Sequence, residues 1–539
     1  MRPAGRSETD SLYFTYPRFG TPARRPAPGA PVAIVGAGPV GMTAALALAR
    51  EGVRSVLFDA KDTFNDGSRA ICVSRSSFHI LERLGAVAPF LGKALGWTMG
   101  RSFYRGRQIL EFEMPDGPGE KFRPMYNLQQ QYIEDYLWRA VSASPLIETR
   151  WQSRVTATED LEGRVRLTVE DPHGPYSCEA PWVLACDGAR SPVRRQRGLR
   201  LRGENYEGRY VIADVRMAHD YPTIRRALFD PSCRPGGTVL IHRQPDDIWR
   251  IDYQLRDDED EAAAIAEPEV RRSVQAVLDE IGHDGAWELE WWSVYSANTL
   301  ALDDYRDGRV FFVGDSAHIV PIFGVRGLNN GLADAMNIGW KLGWVLQGRA
   351  GEALLDSYSP ERRGATLDVF ANASKSARFM TPATHGWRLM RDAALSLALD
   401  HGFAGQLANP RQMTPYTYAD SPDVLTGEGS HKGPVPGAHL PGARCGAGFL
   451  SDLMGPGFTA ICTDPATAAA LPEAPGLRVV TLAPGTPAAE ALGATPGSAF
   501  LVRPDLHLAA RWRSATPGDI LSAFRQVSHE IPQAEEIVA

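Results

Sequence analysis

Short, almost unbroken apolar runs recur along the chain at 32–35 (VAIV), 183–186 (VLAC) and 310–313 (VFFV), and each ends in a glycine or an Asp-Gly pair. Runs this short, bounded by turn formers, predict strands buried on both faces, as in a parallel sheet. A helical run at 42–50 follows the first, and a strand-like 53–58 completes a βαβ unit. A helix is predicted over 74–84, stopped by Gly85, and another over 130–141. Residues 97–125 read as irregular or β, and 150–186 alternate as strands do, as in 164–170 (RVRLTVE). From 200 to 300 the pattern is mostly strand, notably 238–242 and 248–255, with one helix near 269–281. Helical periodicity returns after 327, where Ile338, Leu342, Val345 and Leu346 form an apolar stripe. Pro, Gly and Ser cluster around 415–445, which predicts a linker. Beyond it, apolar strands at 458–462, 477–482 and 499–502 alternate with Ala-rich helices, the pattern of a separate small α/β domain. No internal repeat is evident.

A chain of 539 residues with 44% hydrophobic and 22% charged residues has the make-up of a soluble protein of about three domains. Its net charge of −7 argues against nucleic acid or an anionic membrane as the main partner. The six cysteines (Cys72, Cys178, Cys186, Cys233, Cys445, Cys462) form no C-x-x-C pair and no zinc-like spacing, so no metal is expected and a cytoplasmic location is. Arg24-Arg25 ahead of an apolar stretch imitates an export signal. Cleavage there would remove the first strand of the fold, so residues 1–29 read instead as an arm or a disordered tail.

The chemistry starts at the end of the first strand. Gly36, Gly38 and Gly41 have G-x-G-x-x-G spacing between that strand and the helix at 42–50. The first glycine permits the tight turn, the second lets backbone approach a pyrophosphate, and the third lets helix and strand pack closely. Asp59, eighteen residues after Gly41, ends the second strand, where an acid holds a ribose hydroxyl. Together these features predict dinucleotide binding. Two further strands end in Asp187-Gly188 and Gly314-Asp315. An Asp at a strand end beside a helix N-terminus can accept bonds from a polyol. The N–H groups of Gly327, Leu328 and Asn329 can stabilise electron density on a ring.

With these three motifs in this order, residues 30–375 resemble the class A flavoprotein aromatic hydroxylases of the para-hydroxybenzoate and phenol hydroxylase type. Similarity is weaker towards the C-terminus. The resemblance implies an α/β fold: a Rossmann-like FAD-binding domain (30–96, 126–199 and 300–400), a β-sheet substrate-binding domain (97–125 and 200–299), a linker (415–444) and a thioredoxin-like C-terminal domain (445–539). It implies that Asp59 holds the adenosine ribose and Asp315 the ribityl chain of FAD. The loop 321–329 would lie against the flavin, with Asp187 serving both FAD and nicotinamide handling. Arg69, in Ser68-Arg69-Ala70, resembles the family arginine that reaches FAD, and Gln130 its FAD-contacting glutamine. The chain departs from the family at Val325-Arg326-Gly327, where Gly-Gln-Gly is common, which predicts a less mobile loop or a charge from Arg326 near the flavin. At 70–72 there is no Asp or His, so the general base stays unassigned.

The implied reaction takes electrons from NADH or NADPH, docked transiently, through FAD to O₂ and transfers one oxygen atom to a phenolic or other electron-rich aromatic. On strand 248–255, Arg250, Asp252 and Gln254 share one face and Trp249, Ile251 and Tyr253 the other. Arg250 resembles a family arginine facing the flavin. Arg250 and His242 are the candidate substrate-pocket residues, set against the plainer reading of a solvated strand face. His318 is expected to support the Gly-Asp loop. No Trp-x-Trp-x-Ile halogenase signature and no Phe-x-Gly-x-x-x-His Baeyer–Villiger fingerprint occurs. A Baeyer–Villiger-type or other flavin oxidoreductase on the same fold, or a flavin-binding protein without turnover, are the alternatives. A homodimer is the expected assembly. Gly457-Phe458-Thr459 and 501–505 (LVRPD) resemble the thioredoxin-like tail of phenol hydroxylases; lacking C-x-x-C, that tail is expected to be structural.

Overall fold

A computed structural model describes residues 1–7, 9–23, 29–67, 69–321, 324–382, 384–408, 414–425 and 432–531. Arg24, Arg25, Ser68, Ile322, Phe323 and part of the 415–444 segment, which figure in the sequence reading, lie outside the described residues.

The apolar runs assemble into one sheet. Val32–Val35 lies between Trp182–Ala185 and Ser55–Phe58, parallel to both, with Val310–Phe312 and Ile147–Arg150 flanking them. All four residues of Val32–Val35 are buried, as the continuous apolar run requires. Helices Pro39–Arg50 and Gly327–Leu346 cross at glycine contacts: a Cβ on Gly339 would stand 2.4 Å from the Ala47 Cβ. This closeness sets both helix N-termini at the carboxyl end of the same sheet, where α/β proteins bind ligands.

The second sheet has eight strands, with Arg202–Met217, Ile248–Gln254, Thr238–Arg243 and Arg225–Phe229 adjacent in that order. Strand alternation divides its faces. Val211, Val239, Trp249, Ile251 and Tyr253 form a core with Val270 and Val274 of the helix Glu267–Glu280. The opposite face carries Asp214, Arg225, His242, Arg250 and Asp252, all buried.

The N-terminal residues pack as an arm. The Met1 ammonium donates to Trp292 O at 2.6 Å and Arg2 pairs with buried Glu290 at 2.6 Å. In the C-terminal region, strands Leu477–Thr481, Phe458–Cys462, Ala499–Val502 and Leu508–Trp512 form a sheet in that order. Its first pair is parallel and the others antiparallel. It docks on Gly327–Leu346, where Trp340 and Trp344 pack with Phe458 and Phe524. Within the segment read as a linker, Tyr418, Leu440 and Ala443 are buried. Among the described residues, 414–425 and 432–443 carry no helix or strand, yet these three side chains are packed.

Candidate functional site

The glycine turn is shaped by contacts on two sides and by space on the third. A Cβ on Gly36, whose φ is +106°, would meet Cys186 O at 2.4 Å, and one on Gly41 would meet Gly36 O at 1.9 Å. Gly38 differs: its nearest neighbour would be Asn65 Nδ2 at 3.9 Å. The chain therefore excludes a side chain at Gly36 and Gly41 and leaves Gly38 open for a ligand. Gly38 also caps Pro39–Arg50 without a side-chain hydrogen bond, leaving the helix N–H groups available to an anion. Asp59 accepts from Ala37 N (2.7 Å) and Lys61 N (2.8 Å), which uses two of its four or so lone-pair sites. Burial raises its carboxyl above the ordinary value despite those bonds.

The other two motifs end neighbouring strands of the same sheet. Asp187 Oδ2 accepts from Val193 N at 3.0 Å, while Oδ1 is buried with no hydrogen bond. Gly188 has φ +77° and nothing within 4 Å of a Cβ. Arg194 ties the two turns together by donating to Ser316 O (2.8 Å) and Ala189 O (2.7 Å). Gly314, at φ +66°, donates its N–H to Asp334 at 3.0 Å, and His318 Nε2 lies 2.7 Å from the same carboxylate. Asp315 is solvent-accessible, yet burial raises its carboxyl. A group both accessible and surrounded by protein lies in a cleft, and Arg69 is among the charges it feels.

Gln130 Oε1 accepts from Arg69 N and Ala70 N at 3.2 Å each, so its amide holds the backbone that carries Arg69. Gly327 opens the second helix, again without a side-chain cap, beside Leu328. The Asn329 side chain accepts from Ser74 N (2.8 Å) and Ser77 Oγ (2.7 Å) and donates to Val325 O (2.6 Å). It clamps the loop whose Val325 has φ +61°. Arg326 donates to Val369 O at 3.3 Å in the helix Tyr358–Met380. An open second glycine, an orphaned buried carboxylate oxygen and a carboxylate in a cleft fit a dinucleotide lying across the three motifs.

On the second sheet the plain reading of a solvated face fails, since Arg250 is 1% and His242 5% exposed. Arg250 donates from Nε and Nη2 to the two oxygens of Asp214 at 2.8 Å each, and from Nη1 to Arg69 O at 3.2 Å. Burial, with Arg225 and Arg250 nearby, pushes the His242 imidazole down to about 3, so it is neutral, and its Nδ1 has no partner. Burial lifts Asp252 to about 7 against the pull of Arg250. Sequence reasoning missed Arg225 and Asp214. Adjacent Arg225-Arg226 on a strand must point to opposite faces, so one had to enter the buried sheet.

A parallel sheet with this glycine turn and two acid-bearing strand ends defines a dinucleotide-binding protein. A family model described as an FAD binding domain matches residues 29–373, more than half of the chain, and the chain belongs to that family. The 3-(3-hydroxy-phenyl)propionate/3-hydroxycinnamic acid hydroxylase of Mycolicibacterium smegmatis is 30% identical over 370 residues, covering 68% of this chain and 64% of that protein. The chain thus matches less than two thirds of that relative's length. The structure of the flavin-dependent monooxygenase PieE, in complex with FAD and substrate, superposes with a TM-score of 0.73 at 24% identity, covering 93% of this chain and all of that one. Aklavinone-11 hydroxylase, in a ternary complex with FAD and aklavinone, gives 0.73 at 21% identity over 94% of this chain and 100% of its own. At these identities the likeness to the solved structures establishes the fold. Among the described residues no helix is long and apolar enough to cross a membrane.

Proposed function

We propose that this protein is an NAD(P)H-dependent flavoprotein monooxygenase that uses O₂ to hydroxylate a phenolic or related electron-rich aromatic compound. The observation that carries this reading is the junction of the dinucleotide cleft with the second sheet, where Arg250 reaches Arg69 O. Gly36, Gly38 and Gly41 would receive the pyrophosphate, Asp59 the adenosine ribose, and Asp315 the ribityl chain, with Arg69, Gln130, Asp187 and Gly188 around them. The N–H groups of Gly327, Leu328 and Asn329 would face the ring. Bound FAD supplies electron transfer from the nicotinamide and activation of oxygen. The protein's own part is to hold the aromatic over the buried row of Arg250 and His242 and to keep water out. The single glycine fingerprint is taken by FAD, so the nicotinamide docks transiently.

Purified protein should be yellow and release its flavin on denaturation. Phenols should stimulate its NAD(P)H oxidation, with the product gaining one oxygen. Colourless protein that FAD cannot reconstitute overturns the reading, and bound flavin without NAD(P)H turnover favours a binding protein. The hydroxylase named among the relatives acts on hydroxyphenyl acids, which makes such acids the first substrates to try.

Three further features belong to this reading. The order and directions of the four C-terminal strands, one parallel pairing then two antiparallel, support a thioredoxin-like domain with a structural role. Six free cysteines support a reducing, cytoplasmic location. Exposed Trp387, Leu389, Met390, Phe403 and Leu407 support a homodimer, which sedimentation of the same preparation checks.

His242→Ala should keep its flavin and either raise the substrate KM or divert NAD(P)H electrons to H₂O₂, since a ring displaced by ~1 Å can lose about a hundredfold in rate. Unchanged coupling and affinity would leave His242 a structural residue. Arg250→Ala is a poorer probe than the sequence suggested. It leaves Asp214 buried and unpaired, at a cost of about 3–5 kcal/mol in stability.

A further inference from the structure

A cavity of about 580 Å³, mouth included, opens where the helices Arg75–Arg83, Gly327–Leu346 and Tyr358–Met380 meet the C-terminal region. Its size falls within the roughly 300–1,000 Å³ of small-molecule sites. None of the residues assigned above to FAD lines it. The three helices supply an apolar wall of Ile80, Ala333, Met336, Ala365 and Val369. The C-terminal region adds Tyr418, His439 and His507.

Three polar side chains on this cavity have bonding capacity to spare. Asn330 is 2% exposed, and its Nδ2 is buried with no hydrogen bond. The His439 Nδ1 lies 2.9 Å from Leu440 O and the His507 Nδ1 3.1 Å from Asp505 O, so each donates there. That fixes the tautomer of each neutral ring and leaves Nε2 as a lone pair with no partner among the described residues. Burial, with His507 and His79 nearby, pushes the His439 imidazole down to about 3, so this ring is neutral. The two rings meet edge to face with centroids 5.4 Å apart. The buried charges, by contrast, are spent. Arg362 donates to Asp334 (2.6 Å) and Tyr418 Oη (2.7 Å), and Asp505 accepts from Arg503 at 2.7 Å. Among the described residues no group of three metal-ligating side chains occurs, so the two imidazoles do not make a metal site.

Two lone pairs call for a ligand that donates, and the apolar wall calls for one that is mostly hydrocarbon. An anion would meet those lone pairs and Asp505, with Arg362 already engaged. A cation would leave water for a neutral wall, since the remaining carboxylate, Asp368, is exposed at the surface. A hydroxyl suits both kinds of group, donating to an imidazole and accepting from the Asn330 amide. The Tyr418 ring and the Met336 thioether favour a ring over an aliphatic chain. We infer that this cavity is a binding site for a neutral hydroxylated aromatic, its ring against the helix wall and its hydroxyls on His439, His507 and Asn330. The inference does not depend on the hydroxylase reading.

The test uses naphthalene-2,7-diol on flavin-loaded protein without NAD(P)H. Equilibrium dialysis counts all bound diol, whereas the flavin absorbance reports only diol bound against the flavin. Dialysis should find one more diol per chain than the flavin spectrum does. Ala333→Phe, which puts a ring into the cavity from a half-exposed helix position, should remove that extra diol and leave the flavin titration unchanged. His439→Leu should weaken the extra site roughly fivefold to tenfold, the worth of one hydrogen bond, and His439→Gln, which keeps an acceptor, should restore part of it. Binding of 2,7-dimethoxynaphthalene, which cannot donate, should not respond to His439→Leu. Equal counts by the two methods, or an extra diol that survives Ala333→Phe, overturn the site. Equal weakening of diol and dimethoxy compound by His439→Leu overturns the hydroxyl contact. Should His439→Leu not fold, Ala333→Phe decides alone. An extra diol without any flavin response or NAD(P)H oxidation would leave the cavity site standing and sink the hydroxylase reading.

Discussion

Glu361→Ala is expected to destabilise the protein by about 3–5 kcal/mol, because it uncouples a buried ion network. Glu361 lies in the helix Tyr358–Met380 and is 2% exposed. It accepts from Lys341 Nζ (2.7 Å), Asn337 Nδ2 (2.7 Å) and Arg503 Nη2 (2.9 Å), and from Ser421 Oγ. Its partners therefore come from the cleft helix Gly327–Leu346, the segment after 414 and the C-terminal region. Burial would raise the Glu361 carboxyl, but Arg503 and Lys341 more than reverse that and hold it well below its ordinary 4.5. A carboxyl depressed on folding adds stability above its unfolded value and loses it as the pH falls below that value. Wild type should thus lose this stabilisation progressively below about pH 4.5, and Glu361→Gln should show a flatter melting profile there. Limited proteolysis should release the C-terminal region faster in both variants. Melting temperatures and digestion rates equal to wild type would show that the network contributes nothing net.

What could be read from the sequence was what is local in the chain. The glycine turn, Asp59, Asp187-Gly188 and Gly314-Asp315 each lie within a few residues of a strand end, and those strands are neighbours in one sheet. Strand alternation put Trp249, Ile251 and Tyr253 on one face, and the fold makes that face the core side. The partner of Arg250 was out of reach: Asp214 is 36 residues earlier and meets it only through the register of Arg202–Met217 with Ile248–Gln254. That unseen pair is why Arg250 reads as a free pocket residue in the sequence and as half of a buried ion pair in the fold. Asn329 shows the same limit. Its place in the first turn of a helix was legible, whereas its side-chain clamp on Ser74 and Ser77 joins segments some 250 residues apart. Composition was silent on packing in the segment after 414, where the Tyr418 ring lies tilted against His507 with centroids 4.2 Å apart.

Asp315→Ala is expected to produce protein that loses FAD on purification. A charge-assisted hydrogen bond contributes about 1.5–3 kcal/mol, so the FAD Kd should rise about 10- to 150-fold. Structure and electrostatics separate this ligand role from a structural one. Among the described residues Asp315 has no hydrogen-bond partner, whereas its neighbours do: Gly314 N and His318 are held by Asp334. Burial raises the Asp315 carboxyl, meaning that its charge is a burden to the folded protein without a ligand. A group raised on folding weakens stability as the pH climbs past its unfolded value of 3.8, so removing it should leave the flavin-free protein at least as stable near neutral pH. Asp303→Ala, at a carboxylate 63% exposed on the surface, should keep its flavin and serve as the control. Flavin content and Kd are read by absorbance and fluorescence titration, melting by calorimetry on stripped protein. Retention of FAD by Asp315→Ala at the wild-type level would remove Asp315 from the cofactor site. A large drop in the melting temperature of the stripped variant would recast it as a structural residue of the Gly-Asp turn.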